Sequence, residues 1–363
     1  MSKIVSIATA LPEHRHEQKK ILGFMQRAYG MDETEGRKLK FMYDQSGIDA
    51  RYSVLPDYGC TGGRKWEFYP TTEDMEPFPG IEQRMKLFNN AAPELSIKAI
   101  EGCVNGQRKE VTHLITVSCT GMTAPGLEMQ IMEEMGLQSN IQKTSVNFMG
   151  CYAAIHALKL ADAICNNDRN AKVLIVCTEL CTLHFQKKST LDNITSSLLF
   201  GDGAAAVLVT GDHDKSFGLK IKNFYSEVSR DGKEDMKWEL SSTGFLMTLS
   251  GKIPDLVEKI FNDVAEHALN KASLKKEEIS HWCIHPGGKK ILHSVEKAVG
   301  LTTDDLKYSY DILREFGNMS SPTILFVLKK IFDELYKSRE KANILGAAFG
   351  PGLTTETFIL TNA

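Results

Sequence analysis

The sequence predicts an α/β protein, and two observations carry that expectation. Short apolar runs such as HLITVSC (113–119) and AKVLIVCTEL (171–180) alternate with amphipathic segments of helical length. Those runs are nearly continuous in Val, Ile and Leu, as strands are when both faces of their sheet are covered. Helices on either side of a sheet follow from the two together. The 363 residues are 42% hydrophobic and 25% charged, which is ordinary for a globular chain and excludes a fibrous or disordered one. A net charge of −3 argues against a nucleic-acid partner. No apolar run reaches membrane-spanning length, and the first residues lack the layout of a secretory signal, so no membrane insertion is expected. The eight cysteines lie inside apolar runs as reduced thiols do, which points to the cytoplasm.

The elements follow in order. Residues 1–10 read as a strand ended by Pro12, and residues 17–46 as helical. Residues 52–80 read as loop, with Pro56, Gly59, Gly62, Gly63, Pro70, Pro77 and Pro79. A helix is expected over 81–105, a strand over 113–119, and a helix opening at Pro125 and closing on Gly136. Then come a strand (KTSVNFMG), a long apolar helix from Cys151, the strand AKVLIVCTEL, and a turn plus strand from Gly201. The polar stretch 226–237 reads as a surface connection. Helices are expected at IPDLVEKIFNDVAEHALNKA, KKILHSVEKAVG and MSSPTILFVLKKIFDELYKS, with a short strand at HWCI. Two strands around a Gly/Pro turn close the chain. Both halves contain a strand, a Cys or His, a Gly turn and a helix, which hints at an internal duplication.

Three polar residues stand at strand-to-helix turns. Cys151, in NFMGCYAA, would sit at a helix N-terminus, where the helix dipole and free N–H groups favour a thiolate. It reads either as a nucleophile or as a buried packing thiol. His285, in HPGG, stands at a strand end, where α/β proteins bind ligands, or is a satisfied core histidine. Asn318, in FGNMSSP, reads as a helix cap or as a donor to an oxyanion. The spacing Cys177-x3-Cys181-x2-His184 has zinc-ligand chemistry but no fourth ligand, so no metal is expected. Gly201-Asp202-Gly203 matches neither the phosphate-loop nor the dinucleotide pattern.

Taken together, GCYAAIHALKLADAI, LFGDGAAAVLV, HPGGKKIL, GNMSSPTILFVL and GAAFGPG resemble the type III polyketide synthases, the chalcone-synthase-like family of the thiolase superfamily. The resemblance spans the chain. It implies a five-layered αβαβα thiolase fold built from two duplicated halves, here 1–215 and 216–363. It implies catalysis by Cys151, His285 and Asn318, with His285 also holding Cys151 as a thiolate. By the same resemblance Phe200 and Met247 are gatekeepers, Met247 standing where the plant enzymes carry Phe. Cys119, Thr120, Cys181, His184 and Ser320 match cavity-lining positions, and Trp238 falls near one that controls cavity volume. The closing loop, Gly350, Pro351 and Gly352, borders the site, and Lys38 matches a residue that meets coenzyme A phosphates. The substrates implied are acyl-CoA and malonyl-CoA, with no tightly bound cofactor. The chain would be a homodimer, with the segment at Ala124-Pro125 reaching toward the partner's cavity. An apolar, less aromatic lining points to a fatty acyl starter and an alkylpyrone or alkylresorcinol product, with malonyl-only priming as the alternative. A ketoacyl-ACP synthase III-like enzyme making one condensation would use the same three residues. A non-catalytic acyl-binding protein would be expected to have lost one of them.

Overall fold

The computed structural model describes residues 1–59, 66–72 and 74–362; Gly62 and Gly63 of the expected loop lie outside the described residues. Strand β1 (Ser2–Ala10) opens the chain. A small hairpin of β2 (His14–Glu17) and β3 (Ala50–Ser53) brackets helices α1 (Gln18–Ala28) and α2 (Glu33–Gln45). The helical stretch 17–46 is thus two helices. Gly30 (φ +59) breaks it, and an Asp32/Glu35 capping box starts the second. Next come α3 (Ile81–Val104), β4 (His113–Ser118), α4 (Leu127–Met135) and β5 (Gln142–Asn147). Helix α4 begins two residues after Pro125, with Gly126 as its N-cap, so Pro125 lies outside the helix. Then follow α5 (Ala153–Asn167), β6 (Lys172–Leu180), α6 (Leu191–Leu199) and β7 (Asp202–Gly211).

The rest of the chain holds β8 (Leu219–Val228), the hairpin β9 (Met236–Ser241) and β10 (Gly244–Leu249), α7 (Ile253–Ala272) and β11 (His281–Ile284). Helices α8 (Lys289–Val299), α9 (Lys307–Phe316) and α10 (Thr323–Ser338) precede the final strands β12 (Asn343–Gly350) and β13 (Thr354–Thr361). The polar stretch 226–237 is therefore not a plain connection. It holds the end of β8, a 3-10 turn and the start of β9.

Nine strands form one sheet, in the order β11-β12-β13-β8-β1-β7-β6-β4-β5. Its two parts repeat one pattern. In the first, β4 runs parallel to β6, and β6, β7 and β1 follow antiparallel. In the second, β11 runs parallel to β12, and β12, β13 and β8 follow antiparallel. The two parts are joined rather than separate, because β1 and β8 pair across Lys3↔Lys220 and Ile4↔Leu219.

Five layers arise from the period-two alternation of strand side chains. Ile175 and Cys177 of β6, Val207 and Val209 of β7, Ile344 of β12 and Phe358 of β13 face inward onto α5 and α10. Their neighbours Leu174, Val176, Ala206, Leu208, Leu345 and Ile359 join the opposite cluster, which contains α3 and α7. The small inner faces of α5 (Ala153, Ala154, Ala157, Ala161) let that helix lie between the two parts of the sheet. Helix α10 packs on β1 and β7 as well as on β11, so each half of the chain is covered by the other.

Candidate active site

The duplicated pattern delivers four side chains to one place. Cys119 follows β4 and His285 follows β11; Cys151 precedes α5 and Asn318 precedes α10. All four line one cavity of about 400 Å³.

Cys151 lies two residues before the first helical residue of α5, with Tyr152 as N-cap. Its turn depends on Gly150 (φ +82), where a Cβ would stand 2.5 Å from Pro351 Cδ. A Cβ on Gly350 would in turn meet the Tyr152 ring at 2.4 Å. The GCY turn and the FGPG loop are thus interlocked. Pro351 and Phe349 reach the cavity wall, whereas Gly350 and Gly352 lie behind it and shape the loop.

The sequence reading makes Asn318 a cap of the next helix, but Pro322 is the N-cap of α10 and Asn318 stands further back, in the turn between α9 and α10. Its Oδ1 accepts from the Ser320 N–H (2.8 Å) and the Thr323 hydroxyl (3.4 Å), at the start of α10. Its Nδ2 stands 3.9 Å from Cys151 Sγ and donates to the Gly287 carbonyl at 3.4 Å. The first half pins its backbone: Asn318 N–H donates to Leu199 O, and Gly201 N–H donates to Asn318 O, both at 2.9 Å. Ser320 (φ +60) lines the cavity beside it.

His285 is 1% exposed, and among the described residues neither ring nitrogen has a hydrogen-bond partner. Burial pushes its pKa down to about 3, so the ring is neutral. Burial pushes the Cys151 thiol up to about 11, against hydrogen bonding from Ser320 and Asn318. The resemblance leads one to expect a thiolate held by His285; among the described residues no hydrogen bond links the two side chains, and burial works against the charged form of each.

Phe200 and Met247 form a partition between this cavity and a small side chamber of about 30 Å³, the room of one water molecule. Cys181 and His184 line only the side chamber. His184 packs edge-on against Trp238 and tilted against Phe245, with ring centroids at 4.6 and 4.4 Å, which explains the chamber's size. Thr120 lines neither space. Its hydroxyl donates to Glu179 Oε2 (3.3 Å) and lies 3.0 Å from His184 Nε2. Cys119 faces the main cavity, its Sγ accepting from the Gly150 N–H at 3.0 Å.

The mouth is built by α2, α6, the β9–β10 hairpin and the start of α8. Phe41, Met42 and Gln45 line it, while Lys38 is exposed one turn away on the same face of α2 and is not on the wall. Lysines 289 and 290 do line it, and neither has a carboxylate partner among the described residues. Sequence reasoning passed over them, although both stand in the HPGGKKIL motif. It also passed over Glu179, fully buried and pushed up to about 7 by desolvation, against hydrogen bonds from Cys119 N–H, Ser321 and Thr120. Among the described residues, no group of three His, Cys, Asp or Glu could hold a metal. Cys177 points into the central layer, away from Cys181 and His184. Among the described residues, no helix is long and apolar enough to cross a membrane.

Comparison with known proteins agrees with this geometry. The family models for chalcone and stilbene synthases match the chain twice, the N-terminal domain over residues 1–213 and the C-terminal domain over 224–363. Type III polyketide synthase C of Arabidopsis thaliana is 28% identical over 99% of this chain and 94% of its own length. Probable polyketide synthase 1 of Dictyostelium discoideum is 25% identical over 99% of this chain, which spans 11% of that longer protein. The crystal structure of PKS-I from the brown alga Ectocarpus siliculosus superposes with a TM-score of 0.92 at 25% identity, covering 100% of this chain and 98% of the other. That of CsyB complexed with CoA-SH gives 0.86 at 25% identity, covering 100% of both. With its paired sheet pattern and its Cys, His and Asn brought to one cavity, the chain belongs to the chalcone and stilbene synthase family, the type III polyketide synthases, which are acyltransferases.

Proposed function

We propose that the chain loads an acyl group from a coenzyme A thioester onto Cys151, extends it by repeated decarboxylative condensation of malonyl-CoA, and closes the product into a ring. One observation carries this reading. A thiol, a neutral buried histidine with free nitrogens and a side-chain amide meet at the wall of one enclosed apolar cavity.

Each residue then has a task. Cys151 sulfur attacks the starter thioester carbonyl, and coenzyme A leaves as its thiol. The raised thiol pKa requires the proton to leave as the acyl–sulfur bond forms. For extension, a ring N–H of His285 and the Asn318 amide donate to the malonyl thioester oxygen. Negative charge gathers on that oxygen as carbon dioxide departs, and donors fixed in a dry site stabilise it. The resulting carbanion attacks the acyl carbon on Cys151, and the sulfur leaves. A neutral His285 suits this role, since it donates without needing to be charged. Lysines 289 and 290 at the mouth would meet the coenzyme A phosphates, with Lys38 at the outer rim.

The starter is a fatty acyl group and the product an alkylpyrone or alkylresorcinol. Support comes from the lining, where Leu191, Leu198, Leu199, Met247 and Ile253 surround the path inward. The test is mass spectrometry of products across acyl-CoA chain lengths. Products with several added two-carbon units, best from longer acyl chains, are expected. Turnover restricted to aromatic starters or malonate would overturn the starter. A single extension requiring carrier-bound malonate would overturn the class of reaction.

The enzyme works as a cytoplasmic homodimer, its halves 1–215 and 216–363 inseparable in function. Strand β5 supports the dimer. It lies at the sheet edge with β4 as its one neighbour, and five of its six residues are exposed. Such an edge is usually covered. Elution as an active monomer in gel filtration would refute it.

A further inference from the structure

We infer that Phe41 and Gln45 form a subsite for the adenine ring of the coenzyme A thioesters, at the mouth of the cavity that holds Cys151. This rests on the polyketide reading, which supplies the thioester, and names the part of it that the rim recognises.

The surface of α2 divides by helical spacing. Its buried stripe is Gly36, Leu39 and Tyr43. On a second face Arg37 pairs with Glu33 and Lys40 pairs with Asp44, so those charges answer one another. Lys38, Phe41 and Gln45 share a third face, within an arc of about 60° that carries no carboxylate. Phe41 and Gln45 line the mouth of the cavity.

Folding gives Phe41 no reason to stand there. It is 67% exposed, more than any other large apolar side chain among the described residues, and it lies nearly opposite the buried stripe. Phenylalanine is also a modest helix former. Among the described residues no ring or cation stacks on it. One exposed ring is ordinary on a surface. This one stands on the wall of the cavity that leads to the nucleophile, with an amide one turn further on. The Gln45 amide makes no hydrogen bond to another described residue.

The start of α8 supplies charge to the same rim. Gly47 (φ +74), two residues past α2, lies under the stem of Lys289, and a Cβ there would stand 3.2 Å from Lys289 Cδ. The first residues of α8 are thus held against the end of α2, and Lys289 and Lys290 line the mouth with Phe41 and Gln45. Lys38, Lys289 and Lys290 have no carboxylate partner among the described residues.

A flat apolar ring, a free amide and unpaired ammonium groups together complement an adenine nucleotide. A base stacks on the ring. A glutamine amide can donate to adenine N7 and accept from its N6 amino group. Ammonium groups meet the phosphates. A fatty chain would use the ring and leave the amide and cations idle. A bare phosphate would use the cations and leave the ring idle. Guanine presents two acceptors, O6 and N7, where adenine presents a donor and an acceptor, so it would leave the Gln45 oxygen unpaired.

The test uses adenosine 3′,5′-bisphosphate, the nucleotide end of coenzyme A, titrated into the intact protein in a calorimeter. It should bind the native chain and compete with acyl-CoA for loading of Cys151. Guanosine 3′,5′-bisphosphate should bind about tenfold more weakly, and Gln45→Ala should erase that preference. Phe41→Leu should weaken the adenosine compound about tenfold, the worth of one stacked base, and Phe41→Trp should retain it. With thioesters, the KM for acyl-phosphopantetheine divided by that for acyl-CoA should fall by the same factor in Phe41→Leu. Equal binding of the adenosine compound by Phe41→Leu and the native chain overturns the subsite. So does equal binding of the two nucleotides by the native chain, a result that needs no variant to fold. A native chain that prefers the adenosine compound yet never acquires an acyl mass from acyl-CoA keeps the subsite and loses the polyketide reading. Normal loading with no preference between the bases sinks the subsite alone.

Discussion

After β4 the chain carries Cys119, and after β11, the matching strand of the other half, it carries His285. Before α5 stands Cys151, and before α10 stands Asn318. The first half thus contributes two thiols and the second two nitrogen groups, on one repeated scaffold. The scaffold fixes where four side chains meet, and their chemistry divides the labour. A nucleophile comes from one side and donors for a developing negative charge come from the other.

Three changes would break or sharpen that division. The largest effect is expected when each half loses its own residue. Cys151→Ala should abolish acyl loading, read as the absence of an acyl mass on the protein. Asn318→Ala should load normally but lose malonyl decarboxylation by roughly 100- to 1,000-fold, the usual cost of one oxyanion donor. Equal loss of loading in both would collapse the distinction between the halves.

Next in size is Lys289→Ala with Lys290→Ala. The KM for acyl-CoA should rise about tenfold, near 1.4 kcal/mol. The rise should shrink as salt screens the native contact, and be absent with a thioester that lacks phosphates. An equal rise with that phosphate-free thioester would remove the lysines from coenzyme A binding.

The smallest effect concerns the resting thiol. With Cys151 pushed up to about 11, its thiolate fraction grows with pH throughout the neutral range. Alkylation of Cys151 by iodoacetamide should climb between pH 7 and 10 without levelling. His285, held near 3, stays neutral across that range and adds no inflection. A plateau already reached at pH 7 would show a thiolate held by its neighbours.

The turns that carry Cys151 and His285 were legible because strand, glycine and helix follow one another closely there, whereas Asn318, expected at a strand-to-helix turn, lies between helices α9 and α10. Helix α6 was missed because Asn193, Ile194, Thr195, Ser196 and Ser197 are all modest helix formers, and tertiary packing holds them. Strand β8 was missed because few of its residues are buried, so its alternation is faint. Which side of a wall a residue faces was not legible at all. Cys119 and Cys181 are both apolar-run cysteines, yet the Phe200–Met247 partition puts them in different spaces. Nor could spacing reveal that Thr120 would touch His184, since that contact depends on how the segment after β6 folds back beside β4.

The interlock of Gly150 with Pro351, and of Gly350 with Tyr152, bears on how this protein can change over generations. Two segments 200 residues apart behave as one inherited unit. A side chain added to either glycine meets a rigid ring in the other segment, so neither can drift alone. Variation that reshapes the product must instead enter through residues free of this clasp, such as Trp238 and Met247 on the hairpin. The nucleophile is thereby insulated from the substitutions that diversify what it makes.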